Sequence, residues 1–84
     1  NIMEINEISE HKRILPYLLS RQILNQYKKA KTLLLNWELE SVSFKKRQPY
    51  KSQKFYFRIN KKYRAFCYFE KDKLIVFEID DHQN

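Results

Sequence analysis

The sequence predicts an α+β fold: an N-terminal helical hairpin packed on one face of a four-stranded, mainly antiparallel sheet. Three observations predict it. Residues 55–82 read FYFRIN-KK-YRAFCYFE-KDK-LIVFEIDDH, three runs of aromatic and β-branched residues with short polar breaks between them. Residues 19–37 repeat apolar side chains at helical spacing. The helical segments precede the run of strands and do not alternate with it. That order places helices on one face of an antiparallel sheet and leaves the other face partly open.

The elements follow in chain order. Residues 2–8 (IMEINEI) alternate briefly, as a short first strand would. Ser9 is then placed to cap a helix, with Glu10 in its first turn. Pro16 either ends a first short helix near Leu15 or occupies the first turn of a second. Leu19, Ile23, Tyr27, Ala30, Leu34 and Trp37 are spaced by threes and fours and form one apolar stripe. Residues 9–36 therefore predict a helical hairpin or one kinked helix. Residues 41–46 (SVSFKK) alternate again, with Val42 and Phe44 on one face, and predict a strand. Residues 47–54 (RQPYKSQK) form a polar loop around Pro49. Strands 55–60, 63–70 and 73–79 complete the sheet. No linker, repeat or low-complexity tract divides the chain, so residues 1–84 are expected to form a single domain.

Alternation assigns faces to these strands. Phe57, Ile59, Ala65, Cys67, Ile75, Phe77 and Ile79 are expected under the helices. Tyr56, Arg58, Arg64, Tyr68, Glu78 and His82 are expected on the open face, with Val76, and Asp80 if the strand continues, on that side of the last strand. The arrangement requires Arg58 to lie across from Arg64, hence an odd-length hairpin loop. A two-residue loop at Lys61-Lys62 would put the two arginines on opposite faces.

Composition narrows the function. Eighty-four residues allow one small core, and six Tyr, six Phe and one Trp give it much apolar area per residue. The chain has no glycine, which excludes a P-loop and a GxGxxG dinucleotide turn. Left-handed turn positions must then fall to other residues, Asn60 and Asp72 first. The lone cysteine, Cys67, permits no disulfide within the chain and reads as a small buried hydrophobe. No apolar run approaches the ~20 residues of a membrane span, and a cytoplasmic location is expected. Asp80, Asp81 and His82 are spaced too tightly for a conventional metal set, so neither a metal nor another cofactor is expected.

The net charge is +7, and it is unevenly placed. Between Ser41 and Phe69 there are nine Lys or Arg and no Asp or Glu; acids return at Glu70, Asp72, Glu78, Asp80 and Asp81. An acid-free basic stretch points to an anionic partner. Arginine forks clamp phosphates and tyrosines stack on bases, so Arg58 and Arg64 beside Tyr56 and Tyr68 suggest an RNA surface. Lys45, Lys46, Arg47, Lys54, Lys61 and Lys62 extend it. His82 follows two carboxylates, which favour its protonated form and suit a general acid. His11 reads as surface.

The run FYFRIN-KKYRAF, then a polar turn, then LIVFEIDDH, resembles the RelE/ParE toxin superfamily of bacterial type II toxin–antitoxin systems. The preceding helical hairpin and the basic segment LESVSFKKRQPYKS fit the same plan. The resemblance spans nearly the whole chain, most sharply residues 44–82. It implies a microbial ribonuclease-like α+β fold and inhibition by a cognate antitoxin, in a hetero-oligomer. Some members of that family cleave mRNA in the ribosomal A site; others bind and poison DNA gyrase.

Carried over by position, Arg64 matches the family's arginine in the "YR" that opens the penultimate strand. Arg58 matches a phosphate-contacting basic position one strand earlier, and His82 matches a catalytic C-terminal histidine. Two departures stand out. His82 is flanked by Asp81 and Gln83, where such members often carry a tyrosine. Lys45 and Lys46 stand where some members place a glutamate base. The resemblance favours a ribosome-dependent endoribonuclease, with a gyrase inhibitor or a non-toxic RNA-binding relative as alternatives. The cleavage would use the 2′-OH of RNA and no metal. Arg64 and Arg58 would stabilise the phosphorane, and His82 would act as general acid. Glu78, a lysine or a ribosomal group would be the base.

Overall fold

The computed structural model describes residues 5–81. It is α+β, with two helices on one face of a five-stranded mixed sheet. The elements are β1 (Glu7–Glu10), α1 (Ile14–Ser20), α2 (Leu24–Leu35), β2 (Lys45–Lys46), β3 (Lys54–Arg58), β4 (Tyr63–Glu70) and β5 (Lys73–Asp81). The strand order is β1-β5-β4-β3-β2. The sheet thus has five strands, not the expected four. The short first strand expected at residues 2–8 is found at Glu7–Glu10, and as β1 it joins the sheet, parallel to β5 from Glu7↔Lys73 to Glu10↔Val76; the remaining pairs are antiparallel.

The N-terminal elements differ in detail from the pattern expected. Ser9 lies inside β1 and caps no helix. Pro16 sits in the first turn of α1, where a missing N–H costs nothing. The stripe Ile23, Tyr27, Ala30 and Leu34 is buried, but Leu19 and Trp37 are exposed. Leu19 follows the fully buried Leu18 and faces outward, and Trp37 lies beyond the end of α2. Both helices end in the same way: Gln22 (φ 60°) and Trp37 (φ 65°) turn left-handed. The Gln22 N–H then donates to Leu19 and that of Ile23 to Leu18; those of Trp37 and Glu38 donate to Leu34 and Leu33. These are Schellman closures, built without the usual glycine.

Residues 41–46 do not form the expected strand. A 3-10 turn occupies Leu39–Val42, and Ser43 is left-handed. Only Lys45 and Lys46 pair with β3. Val42 and Phe44 nevertheless both reach the core, so the apolar pair was read correctly from the wrong element. At the β3–β4 hairpin, Arg58 pairs with Arg64 across a loop of odd length, and the Ile59 N–H donates to Tyr63. Asn60 closes this loop without left-handed backbone. Its Oδ1 accepts the N–H groups of Lys62 and Tyr63, both at 2.8 Å. At the β4–β5 turn the left-handed residue is Lys71, not Asp72.

One bulge decides the faces of β5. Phe66 pairs with Glu78 but Cys67 with Val76, so Phe77 is an extra residue. The insertion breaks alternation. Leu74, Val76 and Ile79 face the helices, whereas Ile75 and Phe77, expected in the core, lie with Tyr68 on the other face. Val76 moves the opposite way, into the core.

The core between sheet and helices is largely aromatic and aliphatic. Tyr27, Phe57, Leu18, Leu34, Leu74 and Val76 are fully enclosed. Tyr27 is the polar exception. Its hydroxyl donates to Glu10 at 2.6 Å, and Lys31 donates to the same oxygen at 2.9 Å. Burial, then the bond to Glu10, pushes the Tyr27 phenol well above its ordinary range. Burial does the same to the Cys67 thiol. No helix among the described residues is long and apolar enough to cross a membrane.

Candidate functional site

The open face is assembled in rows by strand register. Arg58, Arg64 and Asp80 lie across three strands in one row. Lys45, Tyr56, Phe66 and Glu78 form the next row. Lys54, Tyr68 and Ile75 form a third. Past the bulge, alternation keeps Glu78 and Asp80 on the open face while Ile79 stays in the core.

Between the first two rows and the loop after β2 lies a cleft of about 360 Å³. Lys45, Lys46, Arg47 and Arg64 supply its cations, and Glu78 and Asp80 its carboxylates. Tyr50, Tyr56, Phe66 and Gln48 complete the wall. Gln48 and Tyr50 arrive on the loop between β2 and β3.

Arg64 is the centre of this cleft. Its Nη2 donates to Asp80 at 3.3 Å. Its guanidinium stands 5.1 Å from the centroid of Tyr56 and 5.4 Å from that of Phe66. Arg47 covers Phe66 more closely, at 4.3 Å. That cover explains why Phe66 is buried although it points away from the helices. The Arg64 Nε is also buried, with no hydrogen-bond partner among the described residues. An unmet buried donor costs roughly 1–3 kcal/mol, and such groups call for a reason beyond folding. The carboxylate holds the guanidinium at one edge and the rings hold it in plane. The arginine is therefore fixed before any anion arrives.

The structure separates the other expected residues into three groups. Lys45, Lys46, Arg47 and Tyr56 join Arg64 in the cleft. Lys54 and Tyr68 lie in the neighbouring row, where Lys54 stands over Tyr68 and Phe77 at 5.8 and 5.9 Å. Arg58 and Lys61 do not join Arg64. They line a different groove, with Gln26, Lys29 and Val42. The register that puts Arg58 opposite Arg64 also puts it at the end of β3, where β2 no longer runs alongside. Lys62 approaches Asp81 at 3.9 Å. His82 lies outside the described residues.

Three contributors were not anticipated in the cleft: Gln48, Tyr50 and Phe66. Phe66 was nevertheless legible, since it shares the alternation of Arg64. Asp80 follows from its alternation with Glu78, because β5 runs on to Asp81. His11, read as plain surface, is exposed but engaged: its Nε2 lies 3.3 Å from the Tyr68 hydroxyl.

Chemically, the cleft offers fixed positive charge to a phosphate, aromatic faces to a base and one carboxylate, Glu78, without an ion pair among the described residues. No protein-family model matches the chain, and no curated protein matches it in sequence.

Proposed function

We propose that this chain is a RelE/ParE-type toxin that cleaves mRNA on the ribosome. The observation that carries the reading is the Arg64 cleft, where four cations, two carboxylates and three aromatic rings converge on the open face. A phosphodiester needs this combination when its own 2′-OH is the nucleophile. One group must take the 2′ proton, fixed cations must stabilise the crowded anionic phosphorane, and an acid must protonate the departing 5′ oxygen.

Arg64 is the phosphorane stabiliser in this mechanism. Charge set in place beforehand needs no reorganisation as the transition state forms. Lys45, Lys46 and Arg47 add to the field. Glu78 is the favoured base, because it lines the cleft and makes no ion pair among the described residues. His82 is the proposed acid, three residues beyond Ile79 in the sequence. The open cleft suits a substrate positioned by the ribosome, which would supply the orientation that a small enzyme lacks. In the cell, an acidic segment of a cognate antitoxin would hold this basic face inactive.

The test is a pair of cell-free assays on the purified protein. Primer extension follows an mRNA on programmed ribosomes in EDTA, and a second reaction follows supercoiling by gyrase with magnesium present. Cuts that appear only with ribosomes are expected, with supercoiling unaffected. Intact mRNA with blocked gyrase would move the protein to the binding class.

A further inference from the structure

We propose that the groove between α1 and the outer edge of β5 is a second nucleotide subsite. It would take the nucleotide adjoining the one at Arg64 on a single RNA strand. This inference rests on reading the open face as an RNA surface.

The groove arises from the topology. β1 pairs with β5 only as far as Val76, so among the described residues no strand borders the outer side of residues 77–80. α1 packs behind that free edge. The space left is about 780 Å³, within the range of pockets that hold small ligands. His11, Arg13, Tyr17, Phe77 and Glu78 are among its walls. Glu78 also lines the Arg64 cleft, so the two spaces meet at that residue. The bulge makes the junction: it sets Phe77 and Glu78 as successive side chains on the side away from the core.

The chemistry is that of a nucleotide site. Arg13, Tyr17 and Arg21 are four residues apart, and the Arg21 guanidinium lies 4.6 Å from the Tyr17 ring centroid. Of these, Arg13 and Tyr17 line the groove, so α1 presents it with one cation and one ring. Arg13 is exposed and makes no ion pair among the described residues, so it is available to a phosphate. Phe77 is half-buried and braced by Tyr68 at 5.8 Å, which gives a base a firm ring to stack on. The contact with Tyr68 holds the His11 imidazole at the groove's edge. Among the described residues, the only carboxylate lining the groove is Glu78.

The experiment measures fluorescence anisotropy with two labelled RNA probes, a mononucleotide and an octanucleotide, across a salt series. Phe77→Leu keeps an apolar side chain but removes the ring; Arg13→Ala removes an exposed charge and leaves the core intact. Each is expected to weaken octanucleotide binding about tenfold and to leave the mononucleotide unchanged. Arg13→Ala should also flatten the salt dependence by about 0.7 in log–log slope. Arg64→Ala should weaken both RNAs. If Arg64→Ala acts on both lengths while Arg13→Ala and Phe77→Leu act on neither, the subsite is wrong and the RNA surface stands. The free edge of β5 would then be left to a peptide partner. If the wild type binds neither RNA, both readings fall.

Discussion

The two faces of the sheet differ in what their aromatic side chains carry. Under the helices, rings pack mainly on rings. Phe44 stacks on Phe55 at 5.3 Å, Phe69 meets Phe55 edge-on at 5.4 Å, and Tyr27 lies against Phe57 at 6.2 Å. On the open face Tyr56 meets Phe66 and Tyr68 meets Phe77, and these rings also carry most of the cations: Arg47 on Phe66, Arg64 on Tyr56 and Phe66, and Lys54 on Tyr68 and Phe77. The same strands supply both faces, one residue out of phase. The covered face spends its aromatics on stability. The open face spends them on holding positive charge in place, each contact worth only about 0.5–2 kcal/mol.

Neighbouring residues of β3 give the sharpest way to break this contrast. Phe57→Ala should cost about 3–5 kcal/mol of stability, a large part of what a domain of this size has. Tyr56→Ala, one residue away, should cost about 1–2 kcal/mol. Urea unfolding of both variants checks the difference, and equal losses would erase the distinction between the faces.

A second effect belongs to the covered face alone. Tyr27 and Cys67 both hold their protons more tightly when folded than when unfolded. Their contribution is complete below the unfolded values and shrinks as pH rises past them. Stability should therefore fall above pH 9.0, the ordinary value for the thiol, and faster above 10.0, that for the phenol. The slope per group is about 1.4 kcal/mol per pH unit. Urea midpoints from pH 8 to 11 measure it, and Cys67→Ala should remove the first part of the decline.

Smaller effects refine the open face and the chain reversals. Asp80→Asn removes the charge opposing Arg64. It should tighten single-stranded RNA binding a few-fold at low salt and cost less than about 1 kcal/mol of stability. Weaker binding would mean that Asp80 serves to aim the guanidinium. Gln22→Gly relieves a left-handed side chain at the close of α1. It should raise the unfolding free energy by at most about 1 kcal/mol, because glycine also loosens the unfolded chain.

Much of this was legible in the sequence. Strand 63–70, the odd-length hairpin that sets Arg58 across from Arg64, and the buried stripe of α2 all follow from periodicity. The cleft was half legible: Lys45, Lys46, Arg47, Tyr56 and Arg64 stood out as cations and rings in an acid-free stretch. The rest depended on single irregularities that periodicity does not carry. The bulge at Phe77 exchanged Ile75 and Phe77 for Val76 in the core. The left-handed Ser43 cut the expected strand at 41–46 to two residues. The pairing of β1 with β5 joins the two ends of the chain, and no local pattern predicts so distant a neighbour. That same pairing brings His11 to the open face.

The central claim is that the open face acts on RNA and contributes little to holding the fold. The most direct measurement is single-turnover cleavage of mRNA on programmed ribosomes by Arg64→Ala, with its urea midpoint recorded beside it. The account predicts a rate lower by about 10²–10³-fold, with a stability loss no greater than about 2 kcal/mol. An unchanged rate, or a variant that fails to fold, would contradict it.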